Sequence, residues 1–462
     1  MLVQSLKLNQ VFLDNEMFEN LKDKVNIENV LMYYQFAKVF NLPTLAKETF
    51  RCMERCFTMV VETRNFLQSD FTVVSRLLSS SKLAVCSELE VFYAAEAWLN
   101  HNTAGRLVFA EYILLKIRFP LLSDHALEHV LQTPLTFVSN EKNNLLVKDI
   151  LQYREDFFLR NKSNNITRYC DHDEFNIVVI GGNMGWEQFA NQIDKRGRVT
   201  PLRSFIGDRE DFCSVRVNND VYVFQDGDEG KPISVLKYSP SRSEEDWRHL
   251  CYLDSVETFG FSLCAFMNKI YVVGGMTTLR NCTRDCIEFD PKSCEWKHVG
   301  EMNVPRNVSA TAVFEGRLVA CGGITGIMVQ TNTAEAYDHV ADQWSYMPSM
   351  IETRNEDKAV ALRNKLFVFG SYPGSRTNEV YDSVCNKFAY LKPPKISLRI
   401  DFDFLSDVTL VGSRIMIFIT KSPFMAVYDV VTDEWSEESC EVTTEDCLKY
   451  TSVKLPIIFN KV

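Results

Sequence analysis

Two histidines and a glutamate, the residue types of a zinc protease, stand close together as His125, Glu128 and His129 in the order H-x-x-E-H. On a helix the two histidines would share one face at i and i+4, with the glutamate beside them, which is the inverted zinc-protease motif. The neighbours Leu127 and Val130 suit packing, and the sequence indicates no third ligand. Because five-residue matches often arise by chance, we expect a structural helix and no bound metal.

A second set of metal-ligating residue types is formed by Cys282, Cys286, Cys294 and His298, at spacings of 4, 8 and 4. Zinc sites use compact Cys or His pairs, and these spacings are wider. The corresponding positions 48 residues later form no ligand set; they are Gln330, Ala334, Asp342 and Tyr346. We expect packing here and no metal.

Other catalytic patterns are absent from the sequence. The glycine pairs are not followed by Lys-Ser or Lys-Thr, as a phosphate-binding loop requires, and there is no G-x-S-x-G elbow. Cys52 and Cys56 share one helical face and are expected to pack. We therefore expect no catalytic residues and no cofactor.

The composition limits the class of protein that these residues belong to. The chain has 462 residues, of which 46% are hydrophobic, enough for two or three domains with buried cores. A net charge of −11 argues against a nucleic-acid partner. No apolar run approaches the length of a membrane span, and the first residues show no charged and apolar signal pattern, so we expect neither a membrane span nor a signal peptide. We expect reduced cysteines and a cytoplasmic location, with cytoskeletal or nuclear association left open.

The first part of the chain has a helical pattern. Ser87 and Glu90 form a capping box at the start of a helix. The expected buried stripe of this helix is Val91, Ala95, Trp98 and Leu99. A later stripe, at Leu146, Ile150, Tyr153 and Phe157, also repeats with helical spacing. A polar segment at 161–172 is expected to be a linker.

A repeat of apolar strands follows this linker. The six copies read IVVIGG, VYVFQD, IYVVGG, LVACGG, LFVFGS and IMIFIT; they begin at Ile177, Val221, Ile270, Leu318, Leu366 and Ile415. Their spacing of 44 to 49 residues indicates a repeat architecture. The glycines are expected to end a strand where the backbone takes positive φ or where another backbone approaches closely.

Each repeat also carries two aromatic residues at a fixed spacing. An aromatic followed by Asp stands seven residues before a second aromatic; the pairs are Phe289 and Trp296, Tyr337 and Trp344, Tyr381 and Phe388, and Tyr428 and Trp435. Tyr238 and Trp247 form a longer version of the pair. Because Asp favours turns, we expect the two aromatics on adjacent strands of a hairpin.

The double glycine with spaced Tyr and Trp resembles the kelch repeat. LLSSSKLAVCSELEVFYAAEAWL at 77–99, IRFPLLSDHALEHVL at 117–131 and the opening helices at 27–46 resemble the BACK domain. The chain is thus identified as a member of the kelch-like family of BTB–BACK–kelch proteins. This resemblance implies an all-α BACK-like domain at 27–160 and a six-bladed β-propeller at 173–462. The strand at 450–458 is expected to close the first blade, and 1–26 to hold at most the last helices of a BTB domain that is largely missing.

Arginines recur at one phase of the repeat, twelve residues before the glycine strands. The residues at this phase are Arg209, Thr258, Arg306, Arg354 and Asp403, with Arg399 near the last. The resemblance implies that Arg209, Arg306, Arg354 and Arg399 hold an acidic or polar degron, since a guanidinium binds carboxylates through two bonds. The alternative is a structural arginine paired within its own blade.

The resemblance implies a substrate-recognition adaptor of a cullin-RING ubiquitin ligase, whose propeller holds a protein target. Three alternatives stay open: a scaffold that binds actin or another partner without ubiquitin transfer, a BTB-lacking competitor of a full-length relative, and a kelch-type copper oxidase. The oxidase is disfavoured because His249, His298 and His339 are too few for its ligand set.

Overall fold

The structure is a computed structural model that describes two parts of the chain. The first comprises 14–85, 87–119 and a few positions up to 130. The second comprises 175–183, 188–194, 199–202, 212–218, 220–226, 232–239, 247–254, 256, 258–326, 329–362, 365–370, 378–383, 385–394, 405–419, 422, 424–439 and 447–456. The chain divides into two compact units, with the change of unit between His172 and Asp173.

The first unit is helical. Its described α-helices are α1 Val30–Val39, α2 Pro43–Arg55, α3 Phe57–Val60, α4 Arg64–Leu67, α5 Phe71–Leu78, α6 Glu88–His101, α7 Thr103–Arg106 and α8 Ala110–Leu114, with 3₁₀ turns at Lys22–Lys24 and Leu107–Phe109. None of the described helices has the length and apolar character needed to cross a bilayer.

Helix α6 begins with the Ser87 half of the predicted capping box and buries the predicted stripe. The Ser87 hydroxyl accepts a hydrogen bond from the Leu89 N–H at 3.1 Å, which satisfies one of the free donors at the helix start. The predicted stripe is buried, and its largest member, Trp98, donates from Nε1 to the Ser69 carbonyl at 2.9 Å. The later stripe at 146–157 lies outside the described residues.

The second unit is a six-bladed β-propeller built from four-stranded antiparallel sheets. From the inner to the outer strand, blade 1 is β26 Cys447–Pro456, β1 Phe175–Asn183, β2 Gln188–Asp194 and β3 Val199–Leu202. Blade 2 is β4 Phe212–Val217, β5 Asp220–Gln225, β6 Ile233–Tyr238 and β7 Arg248–Leu253; blade 3 is β9 Ser262–Phe266, β10 Lys269–Val273, β12 Cys286–Asp290 and β13 Glu295–Val299.

The remaining blades follow the same order. Blade 4 is β14 Ala310–Phe314, β15 Arg317–Cys321, β16 Ala334–Asp338 and β17 Gln343–Met347. Blade 5 is β18 Lys358–Leu362, β19 Lys365–Phe369, β20 Glu379–Asp382 and β21 Lys387–Tyr390; blade 6 is β22 Leu405–Val411, β23 Arg414–Ile419, β24 Phe424–Asp429 and β25 Glu434–Ser439. A short pair, β8 Thr258–Phe259 and β11 Met276–Thr277, lies beside blade 3.

The C-terminal strand β26 completes blade 1, where it pairs with β1 as the innermost strand. The Thr451 hydroxyl lies 2.6 Å from the Ser214 hydroxyl of blade 2, and the Ser452 hydroxyl donates to the Asp407 carboxylate of blade 6 at 3.1 Å. The last strand therefore contacts the blades on both sides, and the ring closes without leaving an open sheet edge at this point.

The predicted aromatic pairs face each other across the two outer strands of their blades. Tyr337 is in register with Trp344, and Tyr428 with Trp435, at ring-centroid distances of 5.4 and 5.0 Å. The core lies between neighbouring blades. Tyr222 and Phe224 of blade 2, for example, belong to the same buried cluster as Phe289 of blade 3. Fully burying one such side chain contributes about 1.5–3 kcal/mol, so these layers stabilise the ring.

The first glycine of the double glycine in blade 3 is required by its backbone. Gly274 has a φ of +64°, and a Cβ atom there would lie 2.1 Å from the Arg306 carbonyl oxygen of blade 4. The neighbouring Gly275 N–H donates to the same oxygen at 2.8 Å. The expected close approach of another backbone is confirmed, and it joins consecutive blades.

Candidate functional site

The loops at one end of the blades form the candidate site. We call this end, as formed by the loops of blades 3 and 4, the double-glycine face; it comprises residues 274–285, 300–309, 322–326, 329–333 and 348–357. Backbone hydrogen bonds hold loops of consecutive blades together here, from the Gly275 N–H to the Arg306 carbonyl and from the Gly323 N–H to the Arg354 carbonyl, both at 2.8 Å. The face is thus a fixed surface built from several blades.

Arg306, one of the predicted binding residues, lies beneath this face, and its side chain is 0% exposed. Its Nη2 lies 2.7 Å from Glu335 Oε1, and its Nε donates to the same oxygen at 3.2 Å. Nη1 donates to the Gly322 and Thr333 carbonyls, and Nη2 also donates to the Thr333 hydroxyl. These five bonds use all five donors of the guanidinium, so none remains for a partner.

Arg354 repeats this arrangement in the next blade. Its Nε donates to Glu379 Oε1 at 3.0 Å, its Nη1 donates to the Gly370 carbonyl at 2.7 Å, and both charged side chains are fully buried. For Arg306 and Arg354 the structure therefore supports the alternative of a structural pair within one blade. We correct the interpretation of these two as surface contacts, because burial makes them inaccessible. Arg209 and Arg399 lie outside the described residues.

The glutamate partners were not anticipated, although the sequence carries a signal for them. Glu335 and Glu379 each stand two residues before a Tyr-Asp pair, in the two repeats whose preceding Arg is buried. In blade 3 the same two positions hold Thr258 and Ile287. In blade 3 both members of the pair are therefore replaced by uncharged residues, so neither charge is left without its partner there.

The exposed side chains of the double-glycine face are of a different kind. Leu279 is 82% exposed, Val329 57% and Ile351 44%. Arg280 and Arg284, in the same loop as Leu279, are exposed and form no ion pair within the part of the chain that the structure describes. These residues do not recur at one position of the repeat, so the comparison of repeats did not identify them. Their only signal is their place between the double glycine and the Phe289-Asp290 pair.

Several buried oxygen atoms below the face have no hydrogen-bond partner among the described residues. They are Asn307 Oδ1, Ser309 Oγ, Asn355 Oδ1 and both carboxyl oxygens of Asp357. Burial raises the pKa of Asp357 from its ordinary 3.8 to about 8, an effect that the nearby Arg354 only partly opposes. A carboxyl in this setting is held in its neutral form near pH 7.

The metal-like clusters of the sequence are not assembled in the described residues. No three His, Cys, Asp or Glu side chains there are grouped as ligands. Cys286 is fully buried in β12, whereas His298 is exposed on β13 and its ring lies 5.7 Å from that of Trp296. His125 and Glu128 lie outside the described residues. The described His129 has its ring 6.4 Å from the Tyr93 ring.

The Cys52 and Cys56 thiols of the helical unit are buried beside each other. The hydrogen bond with Cys56, together with burial, raises the pKa of Cys52 well above its ordinary value. A thiol that stays protonated is a poor nucleophile, so this pair suits packing.

Comparison with known proteins agrees with this architecture. The family model for BACK, "BTB And C-terminal Kelch", matches residues 30–132, and the kelch motif model matches 250–303 and 305–351. No BTB model is among these matches.

Individual relatives are similar over much of the chain. Kelch-like protein 26 of Danio rerio is 25% identical over 309 residues, covering 66% of this chain and 44% of the relative. Kelch-like protein 6 of Homo sapiens is 22% identical over 317 residues, covering 65% and 50%, and kelch-like protein 7 of Rattus norvegicus is 29% identical over 211 residues, covering 44% and 35%. The chain spans about half the length of the curated relatives it matches, or less. It combines a BACK region with a kelch propeller, and its homologues are kelch-like proteins.

Proposed function

We propose that the chain is a non-catalytic, kelch-like substrate-recognition adaptor of a cullin-RING ubiquitin ligase, and that its double-glycine face binds the protein target. The observation that carries the proposal is the contrast within this face. Arg306 and Arg354 are buried and paired with glutamates, whereas Leu279, Arg280 and Arg284 are exposed on the same face, and neither of these two arginines forms an ion pair with another described residue. Exposed apolar groups beside exposed guanidiniums are suited to a protein partner.

The target segment is expected to be acidic where it meets blade 3. Arg280 and Arg284 are four residues apart in one loop, and each can bind a carboxylate through two hydrogen bonds. Glu301 and Glu356 are also exposed on this face. They disfavour an acidic segment across the whole surface, so the acidic contact is assigned to the blade 3 loop and apolar contacts to Val329 and Ile351.

Two binding measurements test the proposal on the full chain. Proteins captured from cells by the wild-type chain are compared quantitatively with those captured by the double variant Arg280→Glu/Arg284→Glu and by Leu279→Asp. The matched control is Lys387→Glu, an exposed cation at the opposite end of its blade. The target should be lost with the face variants, retained with the control and bound less as salt rises.

Binding to a purified cullin-RING complex is measured separately. An adaptor binds both the cullin complex and a target. Capture of a target without cullin binding would favour the scaffold or competitor function, and co-sedimentation with filaments would favour actin binding. Equal capture by the wild-type chain and both face variants would contradict the proposed site.

A further inference from the structure

The loop between β10 and β12 of blade 3 is itself a small hairpin that stands on the double-glycine face. We call residues 275–283 the loop hairpin. Two backbone hydrogen bonds close its tip: the Thr277 N–H donates to the Asn281 carbonyl at 3.0 Å, and the Arg280 N–H donates to the Thr277 carbonyl at 2.8 Å. These bonds form a tight turn, so the backbone of the tip has a defined shape.

The base of the loop hairpin is held on both sides. On one side β11 pairs with β8, with Met276 opposite Phe259. On the other side the Arg306 N–H of blade 4 donates to the Thr283 carbonyl at 2.9 Å. The Thr283 N–H donates in turn to the Gly275 carbonyl, also at 2.9 Å, and joins the two strands of the loop hairpin. The base therefore belongs to the fixed part of the face.

The exposure of the loop hairpin increases from its base to its tip. Gly275 is buried, Met276 and Thr277 are half-buried, and residues 278–281 are all exposed. Leu279, in the turn, is 82% exposed, more than any other large apolar side chain in the part of the chain that the structure describes. The loop hairpin thus projects from the face, and it presents a leucine at its tip.

Arg280 has a backbone conformation that favours glycine. Its φ is +61°, in the left-handed region. A tight hairpin loop commonly ends in one left-handed residue, and glycine adopts this conformation without steric cost. Other residues are strained there, and such strain is concentrated at functional sites. The turn alone would favour glycine, so the arginine is better explained by its side chain, which places a guanidinium beside Leu279.

The shape of the loop hairpin determines which form of target it fits. A linear segment is bound in a groove that buries its side chains, whereas the loop hairpin is a projection. A projecting leucine is buried only if the partner supplies a cavity, and apolar cavities are formed by folded domains. The Arg280 guanidinium, next to the leucine, is suited to a carboxylate at the rim of such a cavity.

We propose that the target is a folded protein domain and that the loop hairpin inserts Leu279 into an apolar cavity of this domain, with Arg280 bound to a carboxylate at the cavity rim. This inference rests on the proposed function and adds to it the form of the target. A linear degron is the alternative that the experiment distinguishes.

The test compares the native target with the denatured target. Proteins that the full wild-type chain captures from cells under native conditions are separated, denatured in urea with a reductant, immobilised and probed again with the full chain. We expect the denatured target to lose binding. Leu279→Asp should weaken binding of the native target at least about tenfold, because the free energy of burying the leucine is lost. This variant should melt as the wild-type chain does, since the side chain is exposed.

A head-to-tail cyclic peptide of residues 275–283, with Cys282→Ser to prevent disulfides, provides a second probe. It should compete with the full chain for the native target, whereas the same peptide with Leu279→Asp should not. In the full chain, Arg280→Gly relieves the strained conformation but removes the guanidinium. It should melt no earlier than the wild-type chain and bind the target more weakly, whereas an arginine with a structural role only would leave binding unchanged.

The possible outcomes separate this inference from the proposed function. If the denatured target binds as well as the native target, the target is a linear segment, and the inference is wrong while the proposed function stands. Equal binding of the native target by the wild-type chain and by Leu279→Asp would overturn both, as would the failure of the wild-type chain to capture any protein.

Discussion

The Arg306 guanidinium and the Glu335 carboxylate form an ion pair of 2.7 Å inside blade 4, with both side chains 0% exposed. Glu335 also accepts hydrogen bonds from the backbone N–H groups of Asn303 and Val304, at 2.7 and 3.1 Å. The pair thus fixes the loop that enters blade 4.

Arg306→Ala should destabilise the propeller strongly. It leaves Glu335 buried without its counter-charge and removes the donors to the Gly322 and Thr333 carbonyls, so we expect a loss of about 3–5 kcal/mol in the free energy of unfolding. Denaturant unfolding measures this loss. The control is Arg280→Ala, an exposed arginine of the same face, for which the change should stay within about 0.5 kcal/mol. If Arg306→Ala also changes the free energy of unfolding by no more than about 0.5 kcal/mol, the ion pair between Arg306 and Glu335 contributes little to stability.

The composition of blade 3 supplies a second test of the same pair. The double variant Arg306→Thr/Glu335→Ile gives blade 4 the residue types that blade 3 carries at the same positions, Thr258 and Ile287. Because no charge is left buried alone, the double variant should be more stable than the sum of the two single losses predicts, by more than about 1 kcal/mol. Additive losses would indicate that the two residues act independently.

Asp357 should make the propeller less stable as the pH rises. Its pKa in the folded chain is raised by burial to about 8, above its ordinary 3.8, so between these values the folded chain binds a proton that the unfolded chain releases. The free energy of unfolding therefore falls from about pH 4 towards pH 8, by at most about 1.4 kcal/mol per pH unit from this group.

Unfolding measured from pH 5 to 8 checks this dependence. Asp357→Asn should flatten the slope, whereas Glu301→Gln, which removes another exposed carboxylate of the same face, should leave it as in the wild-type chain. An unchanged slope in Asp357→Asn would mean that Asp357 is already ionised in the folded protein.

Removing the closing strand should open the ring. A chain shortened to end at Cys447 loses nearly all of β26, and with it the contacts of Thr451 to Ser214 and of Ser452 to Asp407. An unpaired inner edge remains, so this chain should melt early or aggregate. Asp407→Ala keeps β26 but removes the carboxylate that accepts from Ser452, so it should lower the free energy of unfolding by about 1–3 kcal/mol. If the shortened chain unfolds at the same temperature and as cooperatively as the intact chain, β26 is not needed to close the ring.

Most of the fold follows from local patterns in the sequence. Pairs such as Tyr337 and Trp344 specify a hairpin register within one repeat, and the double glycines mark a strand end where the next blade approaches. The role of Arg306 could not be read in this way, because its phase fixes where the residue stands but not whether its side chain points inward. That direction depends on Glu335, which lies on β16, the third strand of blade 4. The exposed Arg280 and Arg284 belong to a loop without a repeat phase, so only the three-dimensional arrangement reveals them.

The central claim is that Arg306 and Arg354 belong to the scaffold and that the exposed loop residues Arg280 and Arg284 bind the target. One paired measurement tests it most directly: the melting temperature and the target capture of Arg306→Ala and of Arg280→Glu/Arg284→Glu, each compared with the wild-type chain. We predict that Arg306→Ala lowers the melting temperature but, below its own transition, still captures the target. The double variant should melt as the wild-type chain does and lose the target. The reverse pattern, with affinity lost in a fully stable Arg306→Ala and retained in the double variant, would contradict the account.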